Sequence, residues 1–411
     1  MTSITRRTAM GGALGVAALP AAGRAQNRDN TIRIGVLADF SGPYRDTSGP
    51  TSVAAVQQAI EDLGVAQRGI NVEVIQGDHL NRPDAALALA RRWIDTQGVD
   101  MICEVNNSAI ALAVANLVRE RDKVQLASGA ASSALTGPQC STHTLQWTYD
   151  TWMFANVVGG ATVRSGGDSW YFITADYAFG HQLERDAGQF VTRAGGRVMG
   201  SARYPFPGTT DFSSFLLQAQ ASRAKVVGLA MAAGDMQNCV KQAHEFGLTR
   251  RGQQLAGMIM FVQDIRTIGL ESAQGMVMSE VFYHDLNDRT RALAQRILRR
   301  TPDNMPSQEH AGTYSCAIHY LKAVAEVGVA RAKASGIEVI NVMKRMPTDD
   351  DAFGPGRVRE DGRKIHPAYL FEVKSPAESR GMWDFYKLRA TVPAEEAFRP
   401  LADGGCPLVR G

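Results

Sequence analysis

The feature that most restricts this chain is a rhythm that runs through it twice: a short apolar run, a polar loop, then apolar residues at helical spacing. In the first round, residues 31–38 (TIRIGVLA) read as a buried strand and are followed by the turn-rich loop FSGPYRDTSGP. From about Thr51, Val53, Val56, Ile60 and Leu63 recur with the period of a helix. Strands are predicted again at 70–76, 99–103 and 124–128, with helices at 82–96 and 108–119. The second round places strands at 169–174, 197–204, 225–231 and 255–260, alternating with helices at 179–194, 212–221 and 236–246. A strand pattern at 276–282, helices at about 290–300 and 308–327, and strands at 369–374 and 385–390 complete the chain, with a turn at 375–381. Strands alternating with helices of about 10–15 residues build parallel sheets through right-handed crossovers. The predicted fold class is therefore α/β, with two doubly wound units. In such sheets ligands bind beyond the carboxyl ends of the strands, where loops and helix starts carry free N–H groups.

A chain of 411 residues fits two such units. Its 45% apolar and 21% charged residues are ordinary for a well-filled core. The first 25 residues read as an export signal: Arg6 and Arg7 precede an apolar stretch from Ala9 to Leu19, and Gly23-Arg24-Ala25 offers small residues for cleavage before Gln26. The twin-arginine and general secretory routes both remain open. The apolar stretch is about half of the roughly 20 residues that span a bilayer, and no later run is long enough, so the exported protein is expected to be soluble and not integral to a membrane. The segment holds three arginines and no acid, and its removal takes the net charge from +3 to zero. Without a basic stripe, nucleic-acid binding is not expected.

Of the five cysteines, Cys103, Cys239 and Cys316 lie in apolar patterns and are expected as buried thiols. Cys140 and Cys406 lie in the loops GPQCST and GGCPL, the setting in which an exported protein forms a bridge, so Cys140–Cys406 is the expected disulfide. No GxSxG elbow, phosphate-binding loop or standard zinc spacing is present; His310, Cys316 and His319 share one helix without a matching pattern. An enzyme, a metal and a cofactor are not expected. The Asp349–Asp351 run reads as a solvated loop.

Several loops that follow predicted strands carry chemistry. SGPYRDTSG turns sharply into a helix and leaves Tyr44, Asp46 and Thr47 at the cleft mouth, although Asp46 or Ser48 can equally be a helix cap. Asn106, Asn107 and Ser108 join a strand to a helix start and suit an anionic or carbonyl oxygen. Tyr177 and Phe179, at the start of another helix, can pack on a ligand or can instead be core, and Phe261, Phe282 and Tyr283 thicken an aromatic wall.

The segments IRIGVLADFSGPY, VNNSAIALAVANLVRERDKVQLASGAASSALTG and FITADYAFGHQLERD resemble the type I periplasmic binding proteins of the branched-chain amino acid transporter class, over about residues 30–374. The resemblance implies two Rossmann-like lobes joined by three crossovers that close by hinge motion. It places residues 30–148 and 284–345 in one lobe and 149–283 and 346–411 in the other. It also implies that a ligand carboxylate is held by main-chain N–H and hydroxyl groups at positions matching Ala130 and Ser132. Family members that bind amino acids carry a second-lobe acid for the ammonium. Here the matching position falls at Val262 or Gln263, with Asp264 displaced. An ammonium buried without a carboxylate is costly, so the expected ligand is a small carboxylate or amide with an apolar or aromatic body. Glu309 matches a hinge position that touches ligand in the family, but hinge ion pairing is its expected role. The expected function is the solute-binding component of an ABC importer, a monomer in the periplasm that works with the importer's membrane subunits. The alternatives are an amino acid-binding protein of the same fold and a soluble partner of a sensory receptor.

Overall fold

The structure, a computed structural model, describes residues 30–409 apart from 160, 161, 164, 249 and 251. The expected export signal lies outside the described residues. Strand β1 (Thr31–Ala38) pairs in parallel with β2 (Asn71–Asp78) on one side and β3 (Met101–Glu104) on the other. With β4 (Val124–Ala127) and β5 (Thr144–Gln146) they form a sheet of order β2-β1-β3-β4-β5. Helices α1 (Gly49–Leu63), α2 (Pro83–Gln97) and α3 (Ser108–Glu120) supply the crossovers. Both β3 and β4 are buried along their whole length, which is why they read as continuous apolar runs.

The second sheet has the order β7-β6-β8-β9, again all parallel, from β6 (Ser169–Ala175), β7 (Arg197–Tyr204), β8 (Val226–Ala230) and β9 (Gln254–Gly257). Its helices are α4 (Ala178–Arg193), α5 (Ser213–Ser222), α6 (Ala233–Glu245) and α7 (Val262–Ile268). The chain then returns to the first lobe with α8 (Asp288–Leu298), which packs on α1, and α9 (Gln308–Val327), packed against α1 and against α10 (Gly336–Arg345). The α/β class and the parallel sheets follow the expectation, and most elements begin and end within two or three residues of it. The exceptions are informative. Strand β5 and the two-residue strands β11 (Arg357–Val358) and β12 (Lys364–Ile365) were not expected, because each is too short to carry a pattern of its own; helix α10 was not expected either, although its buried Val339, Ile340, Val342 and Met343 recur at helical spacing. A third sheet, β10 (Val277–Glu280), β13 (Ala368–Val373) and β14 (Tyr386–Val392), is antiparallel.

The chain crosses between lobes after β5, after β10 and just before β13. Buried Arg363 ties the first and third crossings together: its guanidinium donates to Tyr149 O at 2.8 Å and Trp147 O at 3.2 Å, and lies 4.3 Å from the Phe398 ring centroid. His366 adds a hydrogen bond to Thr148 O at 2.9 Å. The contacts divide the segment expected in the second lobe. Arg363 forms a parallel bridge with Gln146 at the edge of the first sheet, and Phe371, Val373 and Tyr386 join the second lobe's core. A disulfide joins Cys140 and Cys406, with Cα atoms 5.7 Å apart, and so holds the C-terminal segment against the first lobe. Arg399 reinforces it by donating to Ser133 O at 3.0 Å. Cys103, Cys239 and Cys316 are buried free thiols. The Asp349–Asp351 run is not simply solvated: Asp350 is buried and accepts from Ser315 Oγ at 2.6 Å and from the Ala352 and Phe353 N–H groups.

The bridge closes a loop of 266 residues, so its loss frees a large part of the unfolded chain. A double Cys140→Ser, Cys406→Ser variant is expected to lose about 2–4 kcal/mol of stability. Guanidinium unfolding of the variant beside the oxidised protein measures this, and equal midpoints would show that the bridge does not constrain the chain.

Candidate functional site in the cleft between the lobes

In a sheet of order 2-1-3-4-5 the strand order reverses between β1 and β3, and the loops leaving those strands diverge to open a crevice. The loop after β1 carries Tyr44, and the loop after β3 carries Asn106. In the second lobe the reversal lies between β6 and β8, whose following loops carry Tyr177, Phe179 and Ala232. The two crevices face each other. Together Tyr44, Asn106, Gly129, Ala131, Tyr149, Tyr177, Phe179, Ala232, Ile259, Phe261 and Glu309 line a narrow space between the two lobes. Two wider grooves flank it, one lined by residues that include Ser132, Arg185 and Arg399 and the other by residues that include Arg45, Asn304 and Trp383. The narrow space is the candidate site, because buried polar atoms without partners converge on it.

Each wall is built from local rules. Asp39, at the end of β1, accepts from Gly42 N at 2.6 Å, Tyr44 N at 2.9 Å and Asn81 Nδ2 at 2.7 Å, which fixes the loop that presents Tyr44. The Tyr44 hydroxyl meets the Tyr177 hydroxyl at 2.6 Å across the cleft. Phe206 stacks on Tyr177 at 4.3 Å and extends the aromatic wall. Glu104 and Val105 take φ values of 76° and 53° where β3 gives way to α3, a strained conformation for residues with a Cβ and one that concentrates at functional sites.

That turn brings Asn106 into a defined orientation. His79 Nδ1 accepts from Asn81 N at 3.0 Å, so its proton is on Nε2 and is donated to Asn106 Oδ1 at 2.6 Å. Burial lowers the His79 pKa and keeps the ring neutral. Asn106 Nδ2 is left buried without an acceptor. Nearby, the main-chain N–H groups of Ala130 and Ala131 find no acceptor among the described residues. Three donors therefore await an oxygen on the first-lobe side.

Acids lie beside these donors. Glu104 and Glu309 are both buried, and the Oε1 atom of each has no hydrogen-bond donor. Glu104 Oε2 accepts from Asn106 N at 3.0 Å, and Glu309 Oε2 accepts from the Tyr149 hydroxyl at 3.0 Å. Burial raises the pKa of Glu104 to about 7 and that of Glu309 further still, with Glu104 adding to the rise at Glu309. The hinge ion pair expected of Glu309 is absent among the described residues: its surroundings are a tyrosine and a second acid.

Of the sequence-predicted residues, the structure brings Tyr44, Asn106, Tyr177, Phe179 and Phe261 together around the cavity. Others have local duties instead. Asp46 is exposed and paired with Arg45 at 2.8 Å, and Thr47 Oγ1 bonds Tyr44 O. Asn107 spends its side chain on capping α3 through Ala109 N and Ile110 N, and Ser108 Oγ accepts from Ser132 N at 3.1 Å. Ser132 thus has its N–H already engaged, and its hydroxyl caps the following turn by accepting from Ala134 N at 3.4 Å. Ala130 does not line the cavity, although its N–H finds no acceptor among the described residues; Ala131, one residue on, lines it. Tyr283 is core: its hydroxyl donates to Trp383 O and accepts from Phe385 N. Phe282 is core as well. Asp264 caps α7 through Phe261 N at 2.8 Å and does not line the cavity. Gly129, Ala131, Tyr149, Ala232, Ile259 and Glu309 were not chosen from sequence. A signal existed only for Tyr149, which lies on the first crossing, and for Glu309, through the hinge position that the resemblance matched to it.

Two opposed switch points that share one nearly closed cleft, joined by three chain crossings, define a protein that captures a small solute. The family model described as "Periplasmic binding protein" matches residues 31–380, and the chain belongs to that family. Among solved structures, a periplasmic binding protein from Burkholderia mallei is 40% identical, with a TM-score of 0.88 over 93% of this chain and 100% of that one. A branched chain amino acid ABC transporter periplasmic ligand-binding protein from Burkholderia xenovorans is 36% identical, with a TM-score of 0.79 over 92% and 99% of the two chains. An ABC transporter solute binding protein from R. palustris in complex with benzoate shares the fold at 18% identity, with a TM-score of 0.78 over 92% and 100%. No curated protein sequence matches the chain. The protein is a periplasmic solute-binding protein of the ABC-transporter type.

Gly129 tests the geometry of the site. A Cβ there would stand 2.7 Å from both Glu104 Oε1 and Asn106 Cβ, closer than such atoms approach. Gly129→Ala is expected to displace both side chains and weaken ligand binding at least about tenfold, which corresponds to about 1.4 kcal/mol. Calorimetric titration with the circular dichroism spectrum as a folding control checks it; unchanged affinity would remove Gly129 and the groups beneath it from the site.

Proposed function

We propose that the cleft captures a small carboxylate with an aromatic or apolar body and delivers it to the membrane subunits of an ABC importer, without chemical turnover. The observation that carries this reading is the division of the cavity. Its first-lobe side offers unpartnered donors at Asn106 Nδ2 and the Ala130 and Ala131 N–H groups, and its second-lobe side offers the rings of Tyr177, Phe179 and Phe261. Donors on a rigid loop suit a carboxylate, and the rings suit a flat apolar body. Solute-binding proteins of the same fold from Rhodopseudomonas palustris hold benzoate and 4-hydroxybenzoate, which agrees with this division.

The lobes we infer are residues 30–148 with 284–366, and 149–283 with 368–392. Export by the signal in residues 1–25, by either route, brings the protein to the periplasm. Capture requires the lobes to part, since the cavity as it stands admits little more than water. Parting breaks the Tyr44–Tyr177 contact and the bonds from Gln263 Nε2 to Asn304 Oδ1 at 2.8 Å and Met305 O at 2.7 Å. A ligand drives closure only to the extent that it binds the closed form better.

A second reading, an amino acid, is favoured by one observation: Glu309 places a carboxyl at the cavity where an ammonium could meet it. A thermal-shift panel of aromatic acids, aliphatic acids, amides and amino acids separates the two. At a hundredfold excess over its dissociation constant the true ligand adds about 2.7 kcal/mol of stability. The expected hits are benzoate-like acids, and a response to amino acids alone would replace the first reading with the second. With the ligand in hand, Asn106→Ala is expected to cost about 1–3 kcal/mol of binding, the range for a lost donor to a charged group. Unchanged affinity would show that Nδ2 does not touch the ligand.

A further inference from the structure

The acids beneath the cavity have a consequence beyond shape. Glu104 leaves β3 with Oε1 against Gly129, and Glu309 opens α9 with its carboxyl at the cavity wall. Each keeps one buried oxygen without a donor, although donors elsewhere in the site are themselves unused. The two side chains interact directly, and the other groups acting on them are Asp39, Ser48, Asn106 and Tyr149. Tyr177 faces Glu309 from the second lobe, Cys103 lies behind Glu104, and Glu280 acts on Tyr149. His79 reaches the pair only through Asn106 and is neutral. No lysine or arginine forms an ion pair with either acid among the described residues, and the leading influences on both are burial and neighbouring polar or acidic groups.

Two ionised carboxylates in contact and away from water repel each other, whereas one proton between them makes a hydrogen bond and removes half the charge. We propose that Glu104 and Glu309 form a proton-sharing carboxyl pair in the wall of the ligand cavity, and that capture of an anionic ligand draws a further proton onto it. This rests on the reading of the ligand as a carboxylate. The added negative charge, held a few atoms away by Asn106 and the Ala130–Ala131 N–H groups, favours the protonated pair. The proton comes from solvent and returns to it when the ligand leaves. A fully protonated Glu309 also becomes a donor that a carboxylate or phenol oxygen can accept. A zwitterion would act in the opposite sense, because its ammonium favours ionisation of the pair and releases a proton.

The sign of proton exchange therefore reports the class of ligand. The experiment titrates benzoate and 4-hydroxybenzoate into the mature protein at pH 6.5 and pH 8.5, in two buffers of different ionisation enthalpy. The expected result is weaker binding at the higher pH, by about tenfold per pH unit for one proton at the limit, with a buffer-dependent heat that shows uptake. Glu309→Gln should abolish both effects, and the wild-type heats stand alone if that variant does not fold. Tight binding of these acids with no proton exchange would overturn the proton-sharing pair and leave the carboxylate reading intact. No binding of aromatic acids, with an amino acid binding and releasing a proton, would overturn the carboxylate reading and this inference with it.

Discussion

A parallel strand can pair its backbone with neighbours along its length but not past its end. Among the described residues nine strands run parallel in two sheets, and loops that follow strands of both sheets meet at the cavity. The loops that leave them must satisfy N–H groups, helix starts and short polar side chains with whatever they can reach. Most succeed locally: Asn107 caps α3, Asp39 gathers three N–H groups, and Asp264 caps α7. Others do not, and some of these gather in one place: Asn106 Nδ2, the Ala131 N–H and one oxygen on each of Glu104 and Glu309 lie at or beside the cavity between the lobes. An unpaired buried donor or acceptor costs about 1–3 kcal/mol, so this concentration is a standing cost that a suitable ligand relieves.

The same reasoning explains why the floor of the cleft is acidic without being strongly charged. Holding two ionised carboxylates away from water would cost several kcal/mol for each, and no cation among the described residues offsets that. A proton is the smaller remedy, and raised pKa values at both acids express it. Rigidity comes from the other side of the hinge. Arg363 and His366 bind the first and third crossings to one another, and the disulfide fixes the C-terminal segment on the first lobe. Across the cleft the lobes meet through rings, Tyr44 on Phe206 and Tyr149 on Phe261, and through the Tyr44–Tyr177 hydroxyl contact.

Much of the fold was legible because buried parallel strands and amphipathic helices announce themselves by period. The strands TIRIGVLA and RVMGSARY have the bounds that their pattern predicts. The site was legible to the level of the loop, and less so to the residue. Tyr44, Tyr177 and Phe179 follow strands in the expected loops and do line the cavity. Ser132 and Ala130 lie in the right loop, but the serine's N–H goes to Ser108 Oγ and its hydroxyl caps the turn that follows. Nothing in a linear pattern tells which of two adjacent residues a loop turns inward. Tyr283 was misjudged for a similar reason, since its partners Trp383 and Phe385 are a hundred residues away. Glu309 was seen but assigned an ion pair, because sequence shows the charge and not the second acid that topology brings beside it.

The central claim is that the narrow cleft, and not either of the roomier grooves beside it, receives the solute. A crystal structure of the mature protein with the tightest-binding small acid tests this most directly. The account predicts ligand density with its oxygens at Asn106 and the Ala130–Ala131 backbone and its body between Tyr177, Phe179 and Phe261. Density instead in the groove lined by Ser132, Arg185 and Arg399 would contradict it.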